Sequence, residues 1–141
     1  MLPRISPRLA MVCVAFTACL LQTSCAGRKA VYPVAGKVLF KGRPAAGAIV
    51  QFHPENPDKE VLVPQGETDS EGNFELTSYE FGDGAPAGQY VVTVIWGVPA
   101  KGGDGYDRML VPPKYMRQET SGLNAVVLAQ PTTLEPFQLK P

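Results

Sequence analysis

Histidine occurs once in this 141-residue chain, at His53, and cysteine three times, at Cys13, Cys19 and Cys25. One imidazole cannot supply the histidine clusters of many metal sites, and no nucleophile, base and orienting acid can be picked out as a set. An excess of either charge is also missing: thirteen basic side chains stand against thirteen acidic ones, scattered along the chain. Without a basic stripe or an acidic tail, nucleic acid and a polybasic membrane patch have no support as partners. The longest apolar run, residues 9–21, has thirteen residues. That is short of the ~20 that a membrane-crossing helix needs. No segment carries a credible 3.6-residue helical period, and no internal repeat is present. Glycine and proline, fourteen each, stay below the ~25–30% of a low-complexity chain. With 45% hydrophobic residues, they read as punctuation between many short elements.

What the N-terminus does have is an export pattern. MLPRISPR carries Arg4 and Arg8 and no acid, and the thirteen-residue run follows it directly. A basic start, a short apolar run and small residues after it describe a signal peptide. A buried amphipathic helix would need a polar face, which this run lacks. Leu21-Gln22-Thr23-Ser24-Cys25 resembles the lipobox, where a bacterial peptidase cuts before a diacylglyceryl cysteine. Gln22 departs from that pattern, which has an aliphatic residue three places before the cysteine; Phe16-Thr17-Ala18-Cys19 is a rival with a shorter apolar run. The expectation is a signal peptide over residues 1–24, lipidation (palmitate among the acyl chains) of Cys25, and a tether over 25–32. That resemblance implies export and a lipid anchor in the cell envelope, and Ala26 resembles the signal for sorting to an outer membrane. With Cys13 and Cys19 removed and Cys25 acylated, the remaining domain has neither free thiol nor disulfide. A Cys19–Cys25 disulfide would instead leave an apolar tail in water.

Beyond the tether, over residues 33–141, the apolar pattern has period two. In VAGKVLFK, Val34, Gly36, Val38 and Phe40 share a face; in AIVQFHP, Ala48, Val50 and Phe52 do. Strict alternation marks half-buried strands. Residues 65–69 and 74–77 flank Ser70-Glu71-Gly72-Asn73, a hairpin signal. QYVVTVIW (89–96) is apolar on both faces, with Tyr90, Val92, Val94 and Trp96 together, and so reads as a central strand. Residues 123–128 and 137–139 complete about seven short strands with no credible helix. The fold class is therefore all-β, a two-sheet β-sandwich.

Three motifs in order carry a resemblance: Gly42-x-Pro44-x-x-Gly47-Ala48-x-Val50, Thr68-Asp69-x-x-Gly72-x-Phe74 and Pro86-Ala87-Gly88-x-Tyr90-x-Val92. Together they look like the carboxypeptidase regulatory-like domain. Asp107-Arg108, Pro112-Pro113-Lys114-Tyr115 and Ser121-Gly122-Leu123 are similar to short bacterial lipoproteins carrying that domain alone. The resemblance implies a transthyretin-like Greek-key sandwich and an exported setting, with no shared chemistry. A purine-pathway hydrolase has that fold too, but its several histidines and Tyr-Arg-Gly-Ser type tail are absent; this chain ends Gln138-Leu139-Lys140-Pro141.

Candidate sites are few. The acids of Thr68-Asp69-Ser70-Glu71-Gly72-Asn73 suit a tight turn better than a calcium loop, so no metal and no cofactor are expected. His53 reads as a surface histidine at a strand end. Trp96, Tyr106, Tyr79 and Phe81 would make a sugar-stacking platform if brought together, but Trp96 continues a core face. Residues 97–122 form a 26-residue Gly- and Pro-rich segment. Loops longer than about 12–15 residues are usually functional or disordered. Its 101–107 tip, with Lys101, Asp104, Tyr106 and Asp107, is the candidate contact with an envelope protein or glycan, held at its base by Leu110 and Tyr115. The functional expectation is a membrane-anchored, non-enzymatic binding or scaffold module of the cell envelope. A structural spacer without a ligand and an envelope hydrolase remain as alternatives.

Overall fold

The computed structural model describes residues 27–58 and 61–141. Apolar side chains at alternate positions bury one face of Val34–Phe40 (β1), through Val34 and Val38. After a two-residue turn, Arg43–Pro44 (β2) folds back on the end of β1. Lys41 and Gly42 both have positive φ, 52° and 75°, as the tightest hairpins require. Ile49–Pro54 (β3) buries Val50 and Phe52 completely. Gln65–Glu67 (β4) and Asn73–Glu75 (β5) are short. Gly88–Ile95 (β6) buries Tyr90, Val92 and Val94 on one face and Thr93 on the other.

The fold is all-β, with strands in three sheets. One is wholly antiparallel, in the order β4-β3-β6 followed by Leu123–Val127 (β9). In the second, β1 is central. Its Val34 carbonyl accepts from Leu76 and its Val38 amide donates to Gly72, on the β2 and β5 side. On its opposite edge the Pro33 and Ala35 carbonyls accept from Thr132 and Leu134, where Thr132–Thr133 (β10) and Phe137–Leu139 (β11) run parallel to it. The inner faces of both sheets supply one core. Phe52 of the first sheet lies 6.3 Å from Phe74 and 6.4 Å from Phe137 of the second, ring centre to ring centre. Gly36 makes room for this cluster, because a Cβ there would meet the Phe74 ring at 2.5 Å.

The third sheet is a correction to the long loop expected over 97–122. Gly97–Pro99 (β7) and Tyr106–Met109 (β8) pair as an antiparallel hairpin, with a bulge at Val98 and Pro99. The chain then makes a 3₁₀ turn, Pro113–Met116, and a single turn of α-helix, Gln118–Ser121 (α1), which Gly122 ends at φ 65°. Tyr115 is buried and its hydroxyl accepts from the Lys140 amide at 2.8 Å. Val111, rather than Leu110, is the second buried side chain at the hairpin's base. Eleven strand segments thus replace the seven expected; the additions are β2, β7, β8 and β10, each at most four residues long.

A second correction concerns residues 65–77. The turn at 70–73 is present, but its flanking strands do not form a simple hairpin. β4 pairs with β3 and β5 with β1, so the two arms join different sheets. Away from the turn, Gln65 and Thr77 bridge them with reciprocal bonds of 3.1 and 2.8 Å.

Candidate functional site

The motif residues that looked most like a site are occupied with holding turns. Thr68 is buried; its hydroxyl donates to the Ala45 carbonyl and accepts from the Ala48 amide at 2.8 Å. That closes the turn between β2 and β3 from twenty residues away. Asp69 Oδ1 accepts from the Glu71 and Asn73 amides, each at 2.9 Å. The Asn73 amide bond, opposed by some desolvation and aided by Glu71, holds the Asp69 carboxyl below its ordinary range. Tyr90 donates to the Pro86 carbonyl at 2.7 Å, and burial pushes its phenol up. Each motif therefore supplies turn chemistry and a core anchor.

His53 is half-buried, with Nε2 2.9 Å from Thr93 Oγ1. Burial lowers its pKa, which favours the neutral ring. Among the described residues no three His, Cys, Asp or Glu side chains converge on a point that would hold a metal ion.

Cys25 lies outside the described residues. Lys101 and Asp104 are exposed in the turn between β7 and β8, whereas Tyr106 and Asp107 are on β8 itself. Tyr106 is only partly available. A Cβ on Gly97 would meet its ring at 2.8 Å, so the ring lies against the β7 backbone. The four aromatic residues considered as a platform are not brought together. Trp96, half-buried at the C-terminal end of β6, packs edge-on to Phe40 at 5.9 Å and donates Nε1–H to the Ala46 carbonyl at 2.7 Å. Tyr79 and Phe81 sit with the loop that returns to Tyr32 at the start of β1. The six steps of β1 between Val34 and Phe40 separate the two ends by roughly 20 Å.

That second end holds what the sequence did not reveal. Residues 78–83 form a loop organised around Asp83, whose carboxylate accepts from Ser78 at 2.7 Å, Tyr79 at 3.0 Å and Glu80 at 2.9 Å. Gly82 donates to Thr77 Oγ1 at 3.0 Å, and Ser78 Oγ to the Gly84 carbonyl at 2.6 Å. Gly84 has φ 96°, and a Cβ there would lie 1.7 Å from the Tyr32 carbonyl oxygen, so only glycine fits. Gly82-Asp83-Gly84 is a turn signal in sequence; three amides converging on one carboxylate is not. At the tip, Phe81 is 95% exposed. Residues 27–30 run against the same loop. Arg28 lies over the Tyr79 ring at 5.2 Å, the Lys29 amide donates to the Tyr79 hydroxyl at 3.2 Å, and Lys29 pairs with Asp58. Beside them is a cleft of about 530 Å³ lined by Lys29, Tyr32, Asp58, Leu62, Gln89 and Tyr90.

Burial raises the Asp83 carboxyl, and the three amide bonds outweigh it, leaving the group below its ordinary range. A carboxyl depressed on folding adds stability that is present above its unfolded pKa and lost as pH falls through the folded one. Asp83→Ala should cost about 1–2 kcal/mol at pH 7, modest because the loop faces solvent. The gap to the unaltered protein should close below about pH 4. Urea unfolding at both pH values checks this; a gap independent of pH would contradict it.

No protein-family model matches the chain, and no curated protein is significantly similar to it. Among solved structures, a 9R-lipoxygenase from Cyanothece matches at a TM-score of 0.44 and 12% identity, over 78% of this chain and 16% of that one. The chain thus spans under a fifth of that enzyme's length, and a likeness this distant carries no argument about fold or activity.

Proposed function

We propose that this chain is an exported lipoprotein, anchored by acyl chains on Cys25, whose single domain is a Greek-key, transthyretin-like β-sandwich of the carboxypeptidase regulatory-like kind. The domain serves as a non-enzymatic binding or scaffold module of the cell envelope. The observation that carries this reading is the placement of two features at opposite ends of the strands. Residues 27–30 lie against the 78–83 loop, next to the start of β1 and β6. The β7–β8 hairpin is rooted where β6 ends, since Leu110 donates to the Trp96 carbonyl at 2.8 Å. An anchor at Cys25 holds the first end at the membrane and leaves the hairpin turn, with Lys101 and Asp104, facing away from it. The polar groups of the motifs hold turns within the domain.

The test is capture from intact envelopes with the native protein and with a variant in which Asn-Gly replaces residues 100–105. The shorter turn preserves the pairing of β7 with β8, so stability should change by less than about 0.5 kcal/mol. Loss of a stoichiometric partner with the variant is the expected result. A partner retained by the variant contradicts the hairpin's role, and repeated recovery of no partner favours the spacer.

A further inference from the structure

Phe81 is the most exposed large apolar side chain among the described residues, yet the loop that presents it is tightly bonded. Isolated exposed apolar residues are ordinary. This one differs in two respects. Its backbone is fixed on both sides, by the Asp83 carboxylate before the tip and by Gly82 and Gly84 after it. It also sits two residues from Tyr79, on which the tether is pinned.

The length of the tether then decides where Phe81 lies. Four residue steps lead from Cys25 to Lys29, whose amide is bonded to Tyr79. An extended chain covers at most about 3.6 Å per residue, so Cys25 is within roughly 14 Å of that bond. The headgroup region adds about 5–8 Å to each side of a bilayer's hydrocarbon core. A lipid-bearing Cys25 therefore keeps the Tyr79–Phe81 loop within roughly 14 Å of the bilayer surface, close enough for a projecting side chain to reach the headgroups. Side chains with an apolar body favour that depth, and Tyr79 offers a ring with a polar tip beside the fully apolar Phe81. The nearest cations are matched by acids, Arg28 by Glu80 at 3.9 Å and Lys29 by Asp58. Attraction to anionic headgroups is therefore not what this surface offers.

We infer that the 78–83 loop is a second, non-covalent membrane contact, in which Phe81 inserts among the lipid headgroups and fixes the domain's tilt on the bilayer. This rests on the lipoprotein reading above. The second contact turns a swivelling tether into a two-point mount and aims the β7–β8 hairpin away from the surface.

The experiment uses the full-length protein purified from membranes and reconstituted into phosphatidylcholine vesicles with brominated acyl chains, which quench indoles in contact with them. Trp96, at the C-terminal end of β6, is the only native indole and serves as the control. Phe81→Trp adds a second at an exposed position where the fold tolerates it. The expected result is at least twofold quenching of the added emission, with a blue shift, unchanged between low and high salt. Trp96 emission should change by less than about a tenth. Acylated, vesicle-bound protein whose added indole is not quenched would overturn the inference and leave the lipoprotein reading intact. A blue shift that follows protein concentration without bromolipid quenching would place a second copy on Phe81, and overturn it as well. Protein without acyl chains that fails to float with vesicles would overturn both.

Discussion

Replacing Phe52 with alanine should destabilise the domain by about 4 kcal/mol and lower its melting temperature by roughly 15–25 °C. Phe52 has no exposed surface. Its ring lies 5.6 Å from Tyr90, 6.3 Å from Phe74 and 6.4 Å from Phe137, so it touches its own sheet and the facing one. Truncation removes buried area and leaves a cavity that neighbours from three strands cannot refill without shifting backbone. Against a total stability of about 5–15 kcal/mol for a domain of this size, that loss is large. The control is Phe81→Ala, an equal chemical change at an exposed position, which should alter stability by less than about 0.5 kcal/mol. Urea melts of a soluble form starting at residue 27 measure both. Equal losses at the two positions would mean that the two sheets do not share the core described.

Seven of the strands were legible, most because burial writes itself into sequence as alternation, and β4 and β5 because a turn signal lies between them. β6 was the plainest: Tyr90, Val92 and Val94 pack inward and the opposite face is largely apolar too. β1 and β3 followed the same rule. The β7–β8 hairpin was not legible, because Val98, Pro99, Tyr106, Asp107 and Arg108 are exposed and its order comes from backbone pairing. Backbone bonds leave no apolar period. β10 is two residues long and exists by docking on β1, a long-range event with no local signature, while β2, also two residues, folds back on β1 through a tight turn but is too short to show a period. The turn at 70–73 shows the boundary clearly. Asp69 and Gly72 specify the reversal locally, but the sheet each arm joins depends on Phe74 fitting over Gly36, thirty-eight residues away in the chain. Of the candidate contact residues, Lys101 and Asp104 are in an exposed turn as expected from glycine spacing, while Tyr106 lies against Gly97. Beyond the turn signal of its glycines, the Asp83 loop has no signature in sequence because the partners of its carboxylate are backbone amides, which every sequence has.

The larger effect is expected at Cys25. On the proposed lipoprotein reading, Cys25→Ser should abolish membrane attachment, because a serine hydroxyl cannot take the place of the thiol that would receive a diacylglyceryl group. Each buried CH₂ contributes about 0.8 kcal/mol, and a single chain anchors only reversibly, whereas several together hold effectively for the protein's lifetime. Among the described residues no helix is long and apolar enough to cross a membrane. Phe81 alone is one side chain and cannot retain the domain without the lipid. The Cys25→Ser protein should therefore appear as uncleaved precursor or as released domain. The decisive measurement is intact-mass and peptide mass spectrometry of the mature N-terminus from membranes. A chain beginning at Cys25 and carrying thioether-linked diacylglycerol is the expected result. A mature chain that begins elsewhere, or an unmodified Cys25, would contradict it.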